Sequence, residues 1–477
     1  MSKTTDELMS TRNRRDDDLD MHRIQGQDRN QERSQDSHDV TRTNGSDQTP
    51  DHDFEVRVDS DMDSFSRLAE PWRDLARRAD SKLYMSPEWA ESWWRHFGSH
   101  KSRSLQLVSV WEGEKLIALA PFYSGRSTLG PVVVDRRLQI IGSGGSPNEQ
   151  VGYLDDYGIS DFLDLVVDRS YEERIAVLFA DMLSKVEVDT IIFHQAGDDS
   201  FIMRKLYPEL QRRDLEVSAD VTDVCPYIDL KGVSTLKEFI QQNNSSNTRR
   251  RFRQTLRAME PKKSVYRLER LEDEGEIEKA VDALISLHQE RWNELGFPGV
   301  FHDPRFEAFF RELVSSAHAS GKLWFKQAVD DEGVCAARMI ILYNGRYYDY
   351  ISGFDANRPS AKYRPGIGLL LNLVEEALES GVDRIELLRG EEGYKYDFTE
   401  SNFRNWKVSM PGARRRGSVL SMAASVFRLQ ALMFRLAVRE LRLLSVQKQQ
   451  SGVSGMLRGY FNFRLKSVKM KLESGDS

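Results

Sequence analysis

Leu388-Arg389-Gly390-Glu391-Glu392-Gly393-Tyr394-Lys395 brings proton-handling and charged side chains together in one short run. Glu391 or Glu392 can accept a proton from an attacking amine, directly or through a water, and Tyr394 can return one to a departing group. Arg389 and Lys395 have the charge to hold an anionic part of a substrate. A solvated turn closed by its own salt bridges has the same composition. What sets this run apart is its place directly after an apolar strand, where open sheets gather ligand contacts.

Two further patterns could bind. Tyr363-Arg364-Pro365-Gly366-Ile367-Gly368 places two glycines at a helix start. Free amides around Gly366, Ile367 and Gly368, the helix dipole and the adjacent Arg364 form an anion site suited to a pyrophosphate. A helix start needing small residues for packing reads the same way. His288, Arg291 and Trp292 fall at i, i+3 and i+4 on one helical face, which can grip an acceptor or pack a hydrogen-bonded histidine beside a tryptophan. No Gly-x-Ser-x-Gly elbow is present, and neither cysteine has a histidine partner in sequence. The sequence thus offers no covalent nucleophile of these two kinds, and no metal site is indicated.

The elements that must position these residues begin near Ile228. Leu236–Asn243 and the arginine-rich Asn247–Met259 read as helices, Val265–Leu271 as a strand, and Ile277–Leu295 and Pro304–Ser320 as two more helices. Strands follow at Lys322–Val329, Val334–Tyr343 and Arg346–Gly353, joined by turn-forming Asp330-Asp331-Glu332-Gly333 and Asn344-Gly345. Leu369, Leu370, Leu373, Val374, Ala377 and Leu378 give the helix from Gly366 to Ser380 one apolar face. A last strand, Arg384–Leu388, leads into Arg389. Upstream, Phe54 to Tyr227 reads as a second mixed unit. It has a helix at Leu68–Ala79, a Ser86-capped helix with Pro87 in its first turn, strands Leu105–Trp111 and Lys115–Phe122, and a glycine-rich turn over Ile140–Ser146.

Composition bounds the rest. The 477-residue chain has a net charge of −7. Its first 50 residues hold seven hydrophobic residues and no aromatic, too few to offset chain entropy, so 1–52 is expected to be a disordered leader. Residues 412–477 carry +10, which leaves −14 on residues 51–411. Arg428, Arg435, Arg439 and Arg442 share a face of an amphipathic pattern in this tail. The pattern fits contact of residues 414–471 with an anionic membrane surface, or docking on the chain's own acidic body. Cys225 and Cys335 lack metal-ligand spacing and fit a reducing compartment. No run approaches a membrane span of about 20 apolar residues. A cytoplasmic protein, with peripheral contact at the inner membrane face, is expected.

His288-x-x-Arg291-Trp292, Phe301 to Phe306, Gly321, Tyr350-Ile351-Ser352-Gly353-Phe354-Asp355, Pro365-Gly366 and Arg389-Gly390-x-Glu392-x-Tyr394-Lys395, in this order, resemble the CelD/BcsL-like (cellulose-biosynthesis-type) branch of the GNAT acyltransferases. That branch is itself similar to the Fem-type aminoacyl transferases. With Ser86-Pro87-Glu88-Trp89 and the strand Leu116–Pro121, the likeness spans about residues 55–410. Tyr363 stands where the usual GNAT loop has Arg or Gln, and Glu386 where the branch often has Asp.

The resemblance implies an α/β (α+β) chain of two tandem GNAT-like lobes with mixed, largely antiparallel sheets, at residues 53–227 and 228–411. It implies transfer from acetyl-CoA or another acyl-CoA to an amino or hydroxyl acceptor, commonly a sugar or envelope precursor. Glu392, Glu391 and Tyr394 are then the catalytic candidates, and Arg364, Gly366, Ile367 and Gly368 the donor contacts. His288, Arg291, Trp292, Tyr350, Arg389 and Lys395 are the substrate contacts, with a backbone N–H near Tyr348–Ser352 facing the oxyanion. Two other readings stay open. One is a Fem-like enzyme using aminoacyl-tRNA, with Arg249–Arg257 and the tail on phosphates; the other is a non-catalytic scaffold.

Overall fold

The computed structural model describes residues 54–99, 102–129, 132–144, 158–242, 245–260, 264–294 and 299–415. The expected leader, all but the first residues of the basic tail, and the Gly145-Ser146 end of the glycine-rich turn lie outside the described residues. Among the described residues no helix is long and apolar enough to cross a membrane.

One order of elements occurs twice. The first repeat runs through Glu55–Asp59 (β1), Asp63–Arg78 (α1), Pro87–Trp93 (α2), Arg103–Glu112 (β2), Lys115–Leu129 (β3) and Val132–Ile140 (β4). It continues with the two-residue Val166–Val167 (β5), Glu172–Lys185 (α3), Thr190–Gly197 (β6), Tyr207–Arg212 (α4) and Ser218–Asp229 (β7). Leu236–Gln242 (α5) and Ser246–Met259 (α6) link it to the second repeat. That repeat comprises Arg267–Arg270 (β8), Glu274–Glu294 (α7), Pro304–Ala319 (α8), Leu323–Asp330 (β9), Gly333–Tyr343 (β10), Arg346–Phe354 (β11), Pro365–Glu379 (α9), Arg384–Glu386 (β12) and Asn402–Pro411 (β13).

Local chemistry accounts for several boundaries. Ser86 Oγ accepts the Trp89 N–H at 3.2 Å and opens α2, with Pro87 in the position that needs no donor. Asp303 does the same for α8, accepting the Arg305 N–H ahead of Pro304. Asn344 and Gly345 both take positive φ, +45° and +70°, the conformation a two-residue hairpin between β10 and β11 requires.

Strand order is β1-β2-β3-β4-β6-β13-β7-β12-β11-β10-β9-β8, with β5 paired to β3, so the sheets of the two repeats join edge to edge into one. All pairs are antiparallel except β4–β6 and β11–β12. The join is reciprocal: β13 of the second repeat lies between β6 and β7, while β7 of the first lies between β13 and β12. A division at Tyr227/Ile228 therefore runs through β7, whose Ser218–Pro226 stretch pairs with β13 and whose Tyr227–Asp229 pairs with β12. Strand β13 has no counterpart in the sequence reading. Its alternation is broken by the polar pair Arg404-Asn405, where the register also shifts, and its burial comes from neighbours distant in sequence.

The second repeat's sheet is covered on both faces. On β10, Ala336 and Ile340 join the core under α5, α6 and α9, whereas Ala337, Met339 and Ile341 join the core shared with α7, α8 and the first repeat's aromatics. Trp72, Trp89 and Trp93 are fully buried in that shared core.

Because each repeat's last strand completes the other's ladder, a chain of residues 54–415 should unfold in one cooperative calorimetric transition. Residues 228–415 alone, lacking both partners of β13 and all but the last two residues of β7, should be insoluble or show no transition; a sharp independent transition for that fragment would contradict the exchange.

Candidate active site

Strands β11 and β12 run parallel over Arg346–Tyr348 and Arg384–Glu386 and then part. Leu387 and Gly390 turn instead to β7, donating their N–H groups to Pro226 and Val224 carbonyls at 3.0 and 3.1 Å. On the other bank a bulge between Met339 and Ile340 leaves Tyr350 without a register partner. The expected strand Arg384–Leu388 accordingly stops at Glu386.

Toward α9 the gap holds a buried polar cluster. Arg338, 3% exposed, is ion-paired with buried Asp349. It also donates to the Gly366 carbonyl at 3.2 Å and lies over the Tyr394 ring, 5.9 Å from the centroid, in hydrogen-bond reach of the phenol. One guanidinium thus joins the α9 mouth, the strand and the loop. Burial pushes the Tyr394 phenol well up, so it is a protonated donor at neutral pH; burial also raises Asp349, against the opposing pull of Arg338 and Lys395.

Toward the first repeat the gap is lined by Tyr350, edge-on to Trp89 at 5.3 Å, and by Gly158–Asp161. Tyr350 Oη donates to the Ile159 carbonyl at 3.3 Å, and Trp89 Nε1 to Ser160 Oγ at 2.9 Å. Arg389 Nε meets Asp161 at 3.3 Å, and a second guanidinium nitrogen donates to the Gly158 carbonyl.

Several expected roles change with this geometry. Lys395, 3% exposed, is taken up by the carbonyls of Leu388, Arg389 and Gly390 at 3.0, 2.9 and 3.2 Å and by Glu392 at 2.9 Å. It closes a loop in which Leu388 and Gly390 both have positive φ, +60° and +111°, and is not placed to hold a substrate anion. Arg389 likewise spends two nitrogens on the first repeat. Glu391 and Glu392 are exposed on the loop, Glu391 accepting from Tyr396 Oη at 3.1 Å and Glu392 pairing with Lys395.

At the helix mouth Arg364 is left-handed, φ +59°, and its guanidinium binds Asp397 at 2.9 Å, the carboxylate that also pairs with Arg251. Its carbonyl already accepts the Ile367 and Gly368 amides at 2.9 and 3.0 Å, and Pro365 has no N–H. The expected cradle of amides therefore narrows to Gly366, around which a Cβ would meet nothing within 4 Å. Gly368 is a packing glycine: a Cβ there would stand 2.4 Å from Tyr266 Oη.

His288, Arg291 and Trp292 share a face of α7 beside the Phe354 end of β11, where Arg291 lies over the Phe354 ring at 5.5 Å. Helix α7 packs on the face of β10 that carries Ala337 and Met339, opposite the face from which Arg338 reaches α9. His288 is buried edge-on to Phe301 at 5.2 Å, and burial pushes its pKa down to about 4, against the opposing pull of the Gln289 side chain, which accepts from the protonated ring. Arg338, Asp349 and Asp161 were not among the sequence candidates. The first two carry a signal, a charge inside the apolar runs Val334–Tyr343 and Tyr347–Ile351; Asp161 carries none. Among the described residues no group of His, Cys, Asp and Glu is arranged to hold a metal ion. An open depression of about 490 Å³ between β8, β9 and α7, lined by Glu269, Arg270, Lys279 and Gln327, shares no residue with this cluster.

The unfolded chain takes up a histidine proton near pH 6.5, whereas folded His288 refuses it down to about 4. Stability should therefore fall as pH drops through that window. His288→Gln should flatten this part of the curve, by up to about 3 kcal/mol. Urea melts of both proteins across the window decide the matter; parallel curves would contradict it.

Residues 246–396 match the family model described as an acetyltransferase (GNAT) domain. No curated protein matches the chain. Among solved structures, FemX aligns at a TM-score of 0.50 with 10% identity, covering 72% of this chain and 96% of its own. A tandem GNAT protein from the clavulanic acid biosynthesis pathway aligns at 0.39 with 11% identity, covering 74% and 98%. L-PGS from Bacillus licheniformis aligns at 0.37 with 13% identity, covering 72% and 96%. The match over 246–396 takes in every element from α6 to the Tyr394–Lys395 loop, and that part of the chain is similar to a GNAT acetyltransferase domain.

Proposed function

We propose that the protein is an acyltransferase of the CelD/BcsL-like kind, moving an acyl group from acyl-CoA to an amino or hydroxyl group of a glycan or envelope precursor. The observation that carries this reading is Arg338, which joins the α9 mouth to Tyr394 across the gap where β11 and β12 part. A donor diphosphate beside Gly366 would bring its thioester into that gap.

The acceptor nucleophile attacks the thioester carbon, an amide N–H of β11 near Tyr348–Ser352 receives the developing oxyanion, and the C–S bond breaks as the oxyanion collapses. Tyr394 gives its proton to the leaving thiolate and is restored from solvent. The proton of the attacking group leaves through water to Glu392, whose exposure suits a relay to bulk.

A Fem-like use of aminoacyl-tRNA has its own support. Arg250, Arg253 and Arg257 are exposed along α6, and Arg251 of that helix ties it to the α9 mouth through Asp397. Such a row suits the phosphates of either donor.

Gly366→Asp separates donor binding from stability, since the site has room and a carboxylate favours a helix N-terminus. Its melting temperature should hold or rise, while calorimetric affinity for acetyl-CoA falls about tenfold or more. Tyr394→Phe should keep that affinity and lose about 10²-fold in thiol release with amine acceptors. No binding of acetyl-CoA by the parent chain, with salt-dependent binding of RNA, would select the tRNA reading; binding without turnover on any acceptor would select the scaffold.

A further inference from the structure

Asp161 belongs to the first repeat, outside the matched domain, and yet is bonded to the second repeat's loop. It is 4% exposed. One carboxylate oxygen meets Arg389 Nε at 3.3 Å and Asn405 Nδ2 of β13 at 3.3 Å, and the other accepts the Arg389 backbone N–H at 3.4 Å. Arg389 in turn donates to the Gly158 carbonyl, while its Nη1 is buried without a partner. The same three residues, Leu388, Arg389 and Gly390, present their carbonyls to Lys395. The loop is therefore clamped from two sides: by Lys395 of its own repeat and by Asp161 of the other.

Without the second jaw the loop keeps Lys395 and the Gly390 N–H bond to Val224, but the Arg389 amide loses its acceptor and the Arg389 guanidinium its counter-ion. Leu388 holds a positive φ that a leucine rarely adopts, and Glu391, Glu392 and Gly393 are exposed. Such a conformation persists only where its surroundings over-determine it. Tyr394 ends this loop, so whatever sets the loop sets the phenol against Arg338.

We propose that Asp161 is a positioning residue: from the first repeat it holds Arg389, and through Arg389 the Leu388–Tyr394 loop, in the geometry the second repeat's site requires. This gives the first repeat a role in the reaction that does not depend on its binding any ligand. The kinetic part of the inference rests on Tyr394 serving acyl transfer; the structural part does not.

Hydrogen exchange by mass spectrometry on the full chain tests the structural part. In Asp161→Asn, amides of residues 387–396 should exchange about tenfold faster or more, with β2 and β3 unchanged. Asp168→Asn removes another buried carboxylate of the same repeat, one bonded to Arg78 and Lys115, and should leave residues 387–396 at the parent rate. Asp161→Glu keeps the charge on a longer arm and should give a smaller change confined to the same residues, which serves if the Asn variant does not fold. Parent rates in both Asp161 variants, or equal acceleration in Asp168→Asn, would overturn the proposal. In acyl transfer, Asp161→Asn should lose about 10²-fold in kcat with the donor KM within about threefold; an unchanged kcat would remove the kinetic role. If the parent chain transfers no acyl group, the proposed function fails while the exchange result still decides the clamp.

Discussion

Two parallel strands that part after Tyr348 and Glu386 leave polar groups in the middle of a sheet without the ladder that would have bonded them. Buried backbone donors and acceptors must be satisfied somewhere, and much of the architecture can be read as the answer. Strand β7 crosses from the first repeat to take the Leu387 and Gly390 amides. Lys395 folds back to take three carbonyls. Arg338 and Asp349 neutralise each other on the α9 side, and Arg389 and Asp161 do so on the other. Breaking one partner of such a buried pair typically costs about 3–5 kcal/mol, whereas an apolar replacement of both is often neutral or better. Charges kept at this depth, in a gap that apolar side chains could fill, are what makes the gap the candidate site.

The two repeats solve the same problem differently. In the first, β4 and β6 part after Leu138 and Ile191, and the next residue on β4 is Gln139, a fully buried neutral amide, where β11 offers Asp349. The following helix, α3, opens on Glu172 and Glu173, already bonded to Arg204 and Lys205. Its N-terminal dipole is thus occupied by the chain's own carboxylates, and an incoming diphosphate would meet like charge. Helix α9 opens on Pro365 and Gly366 with no carboxylate in its first turn. If the proposed anionic donor binds at a helix N-terminus, this asymmetry suits the second repeat to it and the first to the part of a frame.

Local features were legible in the sequence because local residues cause them. The Ser86 cap, the Asn344-Gly345 hairpin, the apolar face of α9 and the run of three strands before it each follow from a few adjacent side chains, and the structure has them within a residue or two. What depends on partners far along the chain was not legible. Strand β13 exists because β6 and β7 flank it, and the roles of Lys395 and Arg389 follow from carbonyls and a carboxylate that only the fold brings near. The amides of Ile367 and Gly368 look free in a sequence, and it takes the left-handed turn at Arg364 to reveal that its carbonyl claims them. Arg338 and Asp349 were the readable omission: a charge in the middle of an apolar strand interior has few reasons to be there.

Electrostatics then bears on which donor the site suits. Residues 51–411 carry −14, a field that repels polyanions at long range, so an anionic donor needs a local positive island to approach. Helix α6 supplies one: Arg250, Arg253 and Arg257 stand exposed on it, and Asp397, locked between Arg251 and Arg364, fixes it beside the α9 mouth. The island is about one helix long, roughly 20 Å by rise per residue, and ends at a single free amide. That extent matches a compact nucleotide diphosphate lying along the helix. A long folded polyanion would need further positive surface on the same face, and against a body of this net charge its added phosphates would meet repulsion beyond the island's edge. Under the proposed reading the α6 island suits the small donor, and the +10 of residues 412–477 is the further positive charge that an RNA donor would call on.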